Sequence, residues 1–167
     1  LDLTTHGWEL ELANLTEANT FDVNQINLIK AGQGGSIISQ WADGSTYWTK
    51  FKQRVDAALA IDQTFTPIIF YSHGINDAIA GTSTATWKAA TIAHFAKIRT
   101  RYGATIPIIW PKLMTAYSTY NTIIDEVVAA TSFCWSVETT DLSLRDAKIK
   151  RIRRQSRRFV CYFGNMI

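Results

Sequence analysis

The stretch TPIIFY at residues 66–71 is a short apolar run between more polar segments. Runs of this kind form strands that are buried on both faces of a sheet. A loop at residues 72–83 follows, and residues 84–101 then carry apolar side chains at helical spacing. A second apolar run, IPIIW at residues 106–110, comes after that helix. A strand, a helix and a strand in this order need a crossover connection, so the stretch predicts two parallel strands.

The rest of the chain continues this alternation. Apolar spacing predicts further helices at residues 6–18, 45–61 and 118–130, and further strands at residues 25–31 and 132–137. The length of 167 residues fits one domain. We therefore expect an α/β domain, a three-layer α/β/α fold with a mainly parallel, flavodoxin-like sheet.

The composition excludes several classes of protein. Hydrophobic residues make up 47% of the chain and charged residues 19%, which is typical of a globular domain and not of a disordered one. No apolar run approaches the roughly 20 residues that cross a bilayer, so no membrane partner is expected. The two cysteines, Cys134 and Cys161, are too few for a disulfide scaffold.

Positive charge is concentrated at the end of the sequence. Seven basic residues and no acidic ones lie in the segment 148–167, and the remaining 10 basic and 14 acidic residues leave the body with a charge of about −4. We therefore divide the chain into a domain at 1–147 and an atypical basic tail at 148–167. Such a cluster can contact phosphates or a membrane surface. The preferred interpretation is a solvated or unnatural terminus, and no nucleic-acid partner is expected.

Three loops that follow predicted strands are candidates for a site, because ligands of open α/β sheets bind at the carboxyl ends of the strands. They are residues 32–36, residues 73–77 and the segment that ends in Arg145 and Asp146. The first loop is rich in glycine but does not fit a dinucleotide site, because Ile37 stands where a third glycine is needed.

Other kinds of site are also excluded. The sequence has neither a Gly-Lys-Ser/Thr phosphate loop nor a Gly-x-Ser-x-Gly nucleophile elbow. His6, His73 and His94 are scattered without the spacing of metal ligands. We therefore predict neither a metal nor a cofactor.

Two of the loops resemble conserved blocks of the SGNH (GDSL-like) hydrolases, in the carbohydrate-esterase branch that includes sialate O-acetylesterases and acetylxylan esterases. Residues 28–36, LIKAGQGGS, with Trp41 downstream, are similar to the second block, and residues 74–77, GIND, are similar to the third. The segment HGWEL at 6–10 resembles the segment that precedes the second block. These matches are spread over residues 6–146.

The resemblance implies an esterase that removes acetyl groups from a carbohydrate, or that cleaves another small ester. Gly35 would offer its backbone N–H, and Asn76 its side-chain amide, to the oxyanion of the tetrahedral intermediate. Asp146 would orient the histidine of a Ser–His–Asp triad. Taken singly, Gly35 is also compatible with a turn of positive φ, and Asn76 with an Asx turn.

The resemblance also implies residues near the substrate. Ser36 would support the glycine loop, and His73 would contact the substrate. Trp41 would stack on a sugar ring or, equally, pack in the core. His73 as a replacement base is the less favoured alternative, because a base must reach the nucleophile.

Two catalytic parts of the family pattern are missing. No Gly-Asp-Ser or Gly-Gln-Ser turn precedes Gly32, and Ile149 stands where the pattern Asp-x-x-His needs the base. We therefore expect the sequence to be a fragment that is incomplete at both ends, with a tail altered by a frameshift or otherwise unnatural. Whether the chain itself is an enzyme stays open. The alternative is a non-catalytic carbohydrate-binding or structural module.

Overall fold

The computed structural model describes residues 29–61 and 67–139, together with the backbone of residues 161–164. The predicted helix at 6–18 and residues 25–28 of the first predicted strand lie outside these ranges. The helices are α1 (Thr46–Ile61), α2 (Ile75–Ile79), α3 (Thr84–Tyr102) and α4 (Ser118–Ala130). The strands are β1 (Ile69–Ser72), β2 (Ile108–Pro111), β3 (Cys134–Val137) and β4 (Cys161–Gly164).

The four strands form one parallel sheet in the order β3-β2-β1-β4. Ile69 of β1 pairs with Ile108 of β2 on one side and with Cys161 of β4 on the other. Because all the strands run the same way, their carboxyl ends meet at one edge of the sheet. The architecture is that of an α/β three-layer fold, so the predicted fold class is confirmed.

The sequence defines the ends of the longest helix, α3. Its N-cap is Ser83, whose hydroxyl accepts a hydrogen bond from the backbone N–H of Thr86 at 3.1 Å. At the other end Gly103 has φ +128 and donates its N–H to the carbonyl of Arg99. A side-chain oxygen before the first turn and a glycine after the last one are the usual signals for a helix start and stop.

The core is unusually aromatic and joins the sheet to the helices. Tyr71 of β1 and Trp110 of β2 meet edge to face, with ring centroids 5.0 Å apart. Trp87 and Phe95 of α3 pack on Trp110 at 5.3 and 5.4 Å. Edge-to-face pairs of this kind stabilise a core beyond the area that they bury. The centre of the sheet is therefore fixed to α3 by interlocking rings.

The predicted elements agree with the structure, with local differences. Helices α1, α3 and α4 begin and end within one residue of the predicted bounds. The strands at 66–71, 106–110 and 132–137 each begin two or three residues later than predicted. The segment 72–83 was expected to be a loop throughout, but it contains the short helix α2. Of the predicted strand 25–31, the described residues show only an isolated bridge at Lys30.

Four residues of the basic tail form β4, which lies beside β1 in the sheet. The backbone of Ser72 pairs with that of Gly164, so this strand also ends at the carboxyl edge. The boundary at residue 147 stays a prediction. Among the helices that the structure describes, none is long and apolar enough to span a membrane.

Replacing Trp87 by Ala tests the aromatic core. Trp87 is fully buried, so its loss leaves a cavity and should lower the free energy of unfolding by about 3–5 kcal/mol. The matched control is Trp135→Ala, because Trp135 is 51% exposed and should cost less than about 1 kcal/mol. Urea unfolding measures both values. Equal losses for the two variants would contradict the assignment of Trp87 to the core.

Candidate functional site at the carboxyl edge of the sheet

The candidate site begins where β1 ends. After Ser72 the chain passes through His73 and Gly74 and enters α2, which carries Asn76 and Asp77 in its first turn. Gly74 has φ +127, and a Cβ at this position would lie 2.6 Å from Cζ2 of Trp87. Only glycine therefore fits between the strand and the core, and its conformation turns the chain sharply toward α2.

The second part of the site is the glycine loop. Gly35 is exposed, has φ +73 and belongs to a turn at residues 34–35. The next residue, Ser36, is buried; its hydroxyl donates to the carbonyl of Gln33 at 2.8 Å and accepts the indole N–H of Trp41 at 3.0 Å. Ser36 thus closes the loop on itself, and the 3₁₀ helix Ile38–Trp41 fixes where the loop stands.

One carboxylate joins the two parts. The backbone N–H of Ile38 donates to both carboxylate oxygens of Asp77, at 3.1 Å each, across 39 residues of sequence. Asp77 is fully buried, so burial raises its pKa, and the Ile38 N–H opposes that shift by stabilising the charged form. We call this contact the Asp77–Ile38 clamp. It holds Ile38, three residues after Gly35, against Asp77, the residue that follows Asn76.

His73 lies beside the same carboxylate. Its Nδ1 is 3.2 Å from Oδ2 of Asp77, a short distance but without the alignment of a good hydrogen bond. Burial lowers the pKa of His73 to about 4, so its ring is neutral near pH 7. A neutral ring beside the carboxylate leaves the Asp77–Ile38 clamp as the main polar contact of Asp77.

A second histidine is packed in the aromatic core behind the site. The ring of His94 lies 5.6 Å from Trp48, 6.0 Å from Tyr71 and 6.1 Å from Trp41, measured between centroids. Burial lowers its pKa to about 3, and the positive charge of Lys97 acts in the same direction. His94 is therefore a neutral packing residue.

Four of the six site residues named from the sequence lie on the two loops that the Asp77–Ile38 clamp joins: Gly35, Ser36, His73 and Asn76. Asn76 is half-buried, in the first turn of α2. Trp41 is only 5% exposed and its ring packs against Tyr47 and His94, which favours the packing interpretation. Asp146 lies outside the described residues, so its role stays a prediction.

The sequence places an acidic residue, Asp77, directly after Asn76 and predicts that it holds this loop by hydrogen bonds to backbone N–H groups. The structure shows such a bond, but its donor is Ile38 of the glycine loop, 39 residues away, and sequence reasoning did not find that partner. Within residues 29–61 and 67–139, no group of three His, Cys, Asp or Glu side chains is placed to hold a metal ion.

The Asp77–Ile38 clamp can be tested by comparing Asp77→Ala with Asp77→Asn. Alanine leaves the buried N–H of Ile38 without an acceptor, so the free energy of unfolding should fall by roughly 2–4 kcal/mol. Asparagine keeps one acceptor oxygen of the same shape and should cost about half as much. Urea unfolding at neutral pH measures both. Equal stability of the two variants would show that the contact with Ile38 contributes nothing.

The burial of His94 predicts a pH dependence of stability. Because the folded pKa is about 3 and the ordinary value is 6.5, the unfolded chain binds the extra proton between these values. Stability should therefore be full above about pH 6.5 and be lost as the pH falls toward 3. Between about pH 7 and pH 5, wild type should lose about 2 kcal/mol more than His94→Gln, which keeps His73 unchanged. Parallel pH profiles of the unfolding midpoint would refute this.

Comparison with known proteins agrees with the sequence resemblance. The family model described as "carbohydrate esterase, sialic acid-specific acetylesterase" matches residues 5–157, which include both the glycine loop and the Asn76 loop. No curated protein and no solved structure matches the chain. The family description indicates acetylesterase activity on carbohydrates, and the predicted likeness to sialate O-acetylesterases is confirmed. The chain belongs to the carbohydrate esterase family of sialic acid-specific acetylesterases.

Proposed function

We propose that this edge of the sheet is the oxyanion-binding half of an esterase site that removes acetyl groups from a carbohydrate. The backbone N–H of Gly35 and the side-chain amide of Asn76 are the proposed donors to the negatively charged oxygen of the tetrahedral intermediate. The observation that carries the proposal is the Asp77–Ile38 clamp, because it joins the two loops on which these donors lie. Donors held in place before the reaction need no reorganisation when charge develops.

The local geometry suits both donors. Gly35 is exposed and has no Cβ, so a substrate can approach its backbone closely. Asn76 is a neutral donor in the first turn of α2, and it lies directly before a carboxylate that is itself occupied by Ile38. Ser36 and Trp41 support the glycine loop from below, and His73 is proposed to border the space for the acyl group.

The remaining catalytic groups are part of the proposal as well. Acyl transfer needs a nucleophile, a base and a group that orients the base. We propose Asp146 as the orienting carboxylate, with the serine and the histidine supplied by a longer chain of which this sequence is a part. The substrate would be an acetylated carbohydrate or a similar small ester, and no cofactor is needed for such a reaction.

A second function is favoured by one specific feature, Ile149 in the place of the base. An isoleucine side chain cannot accept a proton. If Ile149 is the residue of the natural protein, the chain would bind an acetylated sugar without cleaving it. Such a non-catalytic module would keep the two loops and show affinity without turnover.

The proposed esterase is tested on a chain that is extended upstream by its natural flanking sequence and carries its native C-terminus. It should hydrolyse p-nitrophenyl acetate, and Asn76→Ala should lower kcat about a hundredfold or more, the scale of one oxyanion donor. The matched control is Gln53→Ala, which also removes a carboxamide, but from an exposed position on α1, and should leave kcat unchanged.

Unfolding measurements on the same proteins separate catalysis from stability. A folded Asn76→Ala variant with wild-type kcat would overturn the oxyanion role. A folded, extended chain that binds an acetylated sugar and releases no acetate would support the non-catalytic module instead.

A further inference from the structure

A concave region lies between α1 and α3. It is an open groove of about 510 Å³, within the size range of small-molecule sites. We call it the α1–α3 groove. It is lined by Asp43, Trp48, Lys52, Lys97, Thr100 and Arg101.

Two lysines meet over one buried ring in this groove. The Nζ atom of Lys97 lies 4.3 Å from the centroid of Trp48, and that of Lys52 lies 5.7 Å from it. Both distances are within the range of cation–π attraction. In the part of the chain that the structure describes, neither ammonium group lies within 4.0 Å of a carboxylate.

Lys97 is held in a defined position. Besides its contact with Trp48, it donates to the backbone carbonyl of Trp41 at 2.6 Å. Its pKa is lowered by burial and by the charge of Lys52, while the charge of Asp43 acts in the opposite direction. The two like charges repel each other, and a bound anion between them would offset that repulsion.

Arg101 is the third basic side chain of the groove, which Asp43 also lines. Its guanidinium is fixed by an ion pair with Asp56 and by the hydroxyl of Tyr102. These contacts use Nε and Nη2, so among the described residues the two hydrogens on Nη1 remain for a ligand. A fixed guanidinium loses little conformational entropy when it binds an oxyanion.

We propose that the α1–α3 groove is a second binding site, which takes the oxyanion groups, carboxylates first of all, of an acidic glycan. Lys52 and Lys97 would bind one such group over Trp48, and Nη1 of Arg101 would donate to its oxygens. Sugar stacking is not part of the proposal, since Trp48 is 2% exposed.

The groove is connected to the glycine loop by hydrogen bonds. Lys97 donates to the carbonyl of Trp41, and Trp41 donates to Ser36, the neighbour of Gly35. A ligand bound by Lys97 would therefore contact a side chain that is itself hydrogen-bonded to the segment that positions the proposed oxyanion donor. The choice of a glycan as the carrier of the charge rests on the proposed function, whereas anion binding by the groove does not.

Calorimetric titration of the full chain tests this site. The probes are the trimer of galacturonic acid, the uncharged trimer of galactose and inorganic phosphate. The acidic trimer should bind, and Lys52→Gln should raise its Kd about tenfold, the scale of one charge-assisted contact. The matched control is Lys50→Gln, which removes the same charge from an exposed position on the same helix and should change Kd less than about twofold.

The outcomes separate the parts of the proposal. If Lys50→Gln and Lys52→Gln weaken binding of the acidic trimer equally, the effect is one of net charge only. If the uncharged trimer binds as tightly as the acidic one, charge has no role. Either result overturns the site. Phosphate binding that depends on Lys52, without binding of the acidic trimer, would overturn the proposal that the ligand is an acidic glycan. The titration tests the anion site, and hydrolysis of p-nitrophenyl acetate, an uncharged ester, tests the esterase. Failure of one proposal is therefore distinguishable from failure of the other.

Discussion

The buried carboxylate of Asp77 is the contact on which the candidate site depends. A charged group without water is costly unless hydrogen bonds compensate for its lost solvation. Here the N–H of Ile38 donates to both oxygens, and the side chain of Thr82 adds a further hydrogen bond. The constraint works in both directions. Ile38 must lie beside α2 to satisfy the carboxylate, and α2 must present Asp77 to the glycine loop. Two loops that are distant in sequence therefore occupy one edge of the sheet.

The aromatic core determines the shape of that edge from below. Trp87 leaves no room for a side chain at Gly74, and the indole of Trp110 lies 3.4 Å from the carbonyl of His73 as its hydrogen-bond donor. The turn between β1 and α2 therefore packs directly against Trp87 and is hydrogen-bonded to Trp110. Mechanical support of this kind suits a site whose donors must stay in place during a reaction.

The same network gives the two proposed sites a common element. The short segment from Ser36 to Trp41 closes the glycine loop at one end and receives Lys97 from the α1–α3 groove at the other. Family membership accounts for the loops but contains no information about the groove, which is seen only once α1 and α3 are packed together. An esterase of carbohydrates with a separate anion site would select for charge on its substrate as well as for the acetyl group.

Local patterns in the sequence determined much of this protein. Periodicity predicted α1, α3 and α4 to within a residue, and the motifs around Gly35 and Asn76 led to the family and to the edge of the sheet where the candidate site lies. Other features needed the tertiary structure: the turn of helix in the expected loop, the partner of Asp77, and the pairing of β4 with β1. Propensity and spacing act over a few residues, whereas these features arise from contacts between segments that are far apart in sequence and whose burial is decided only when the chain packs.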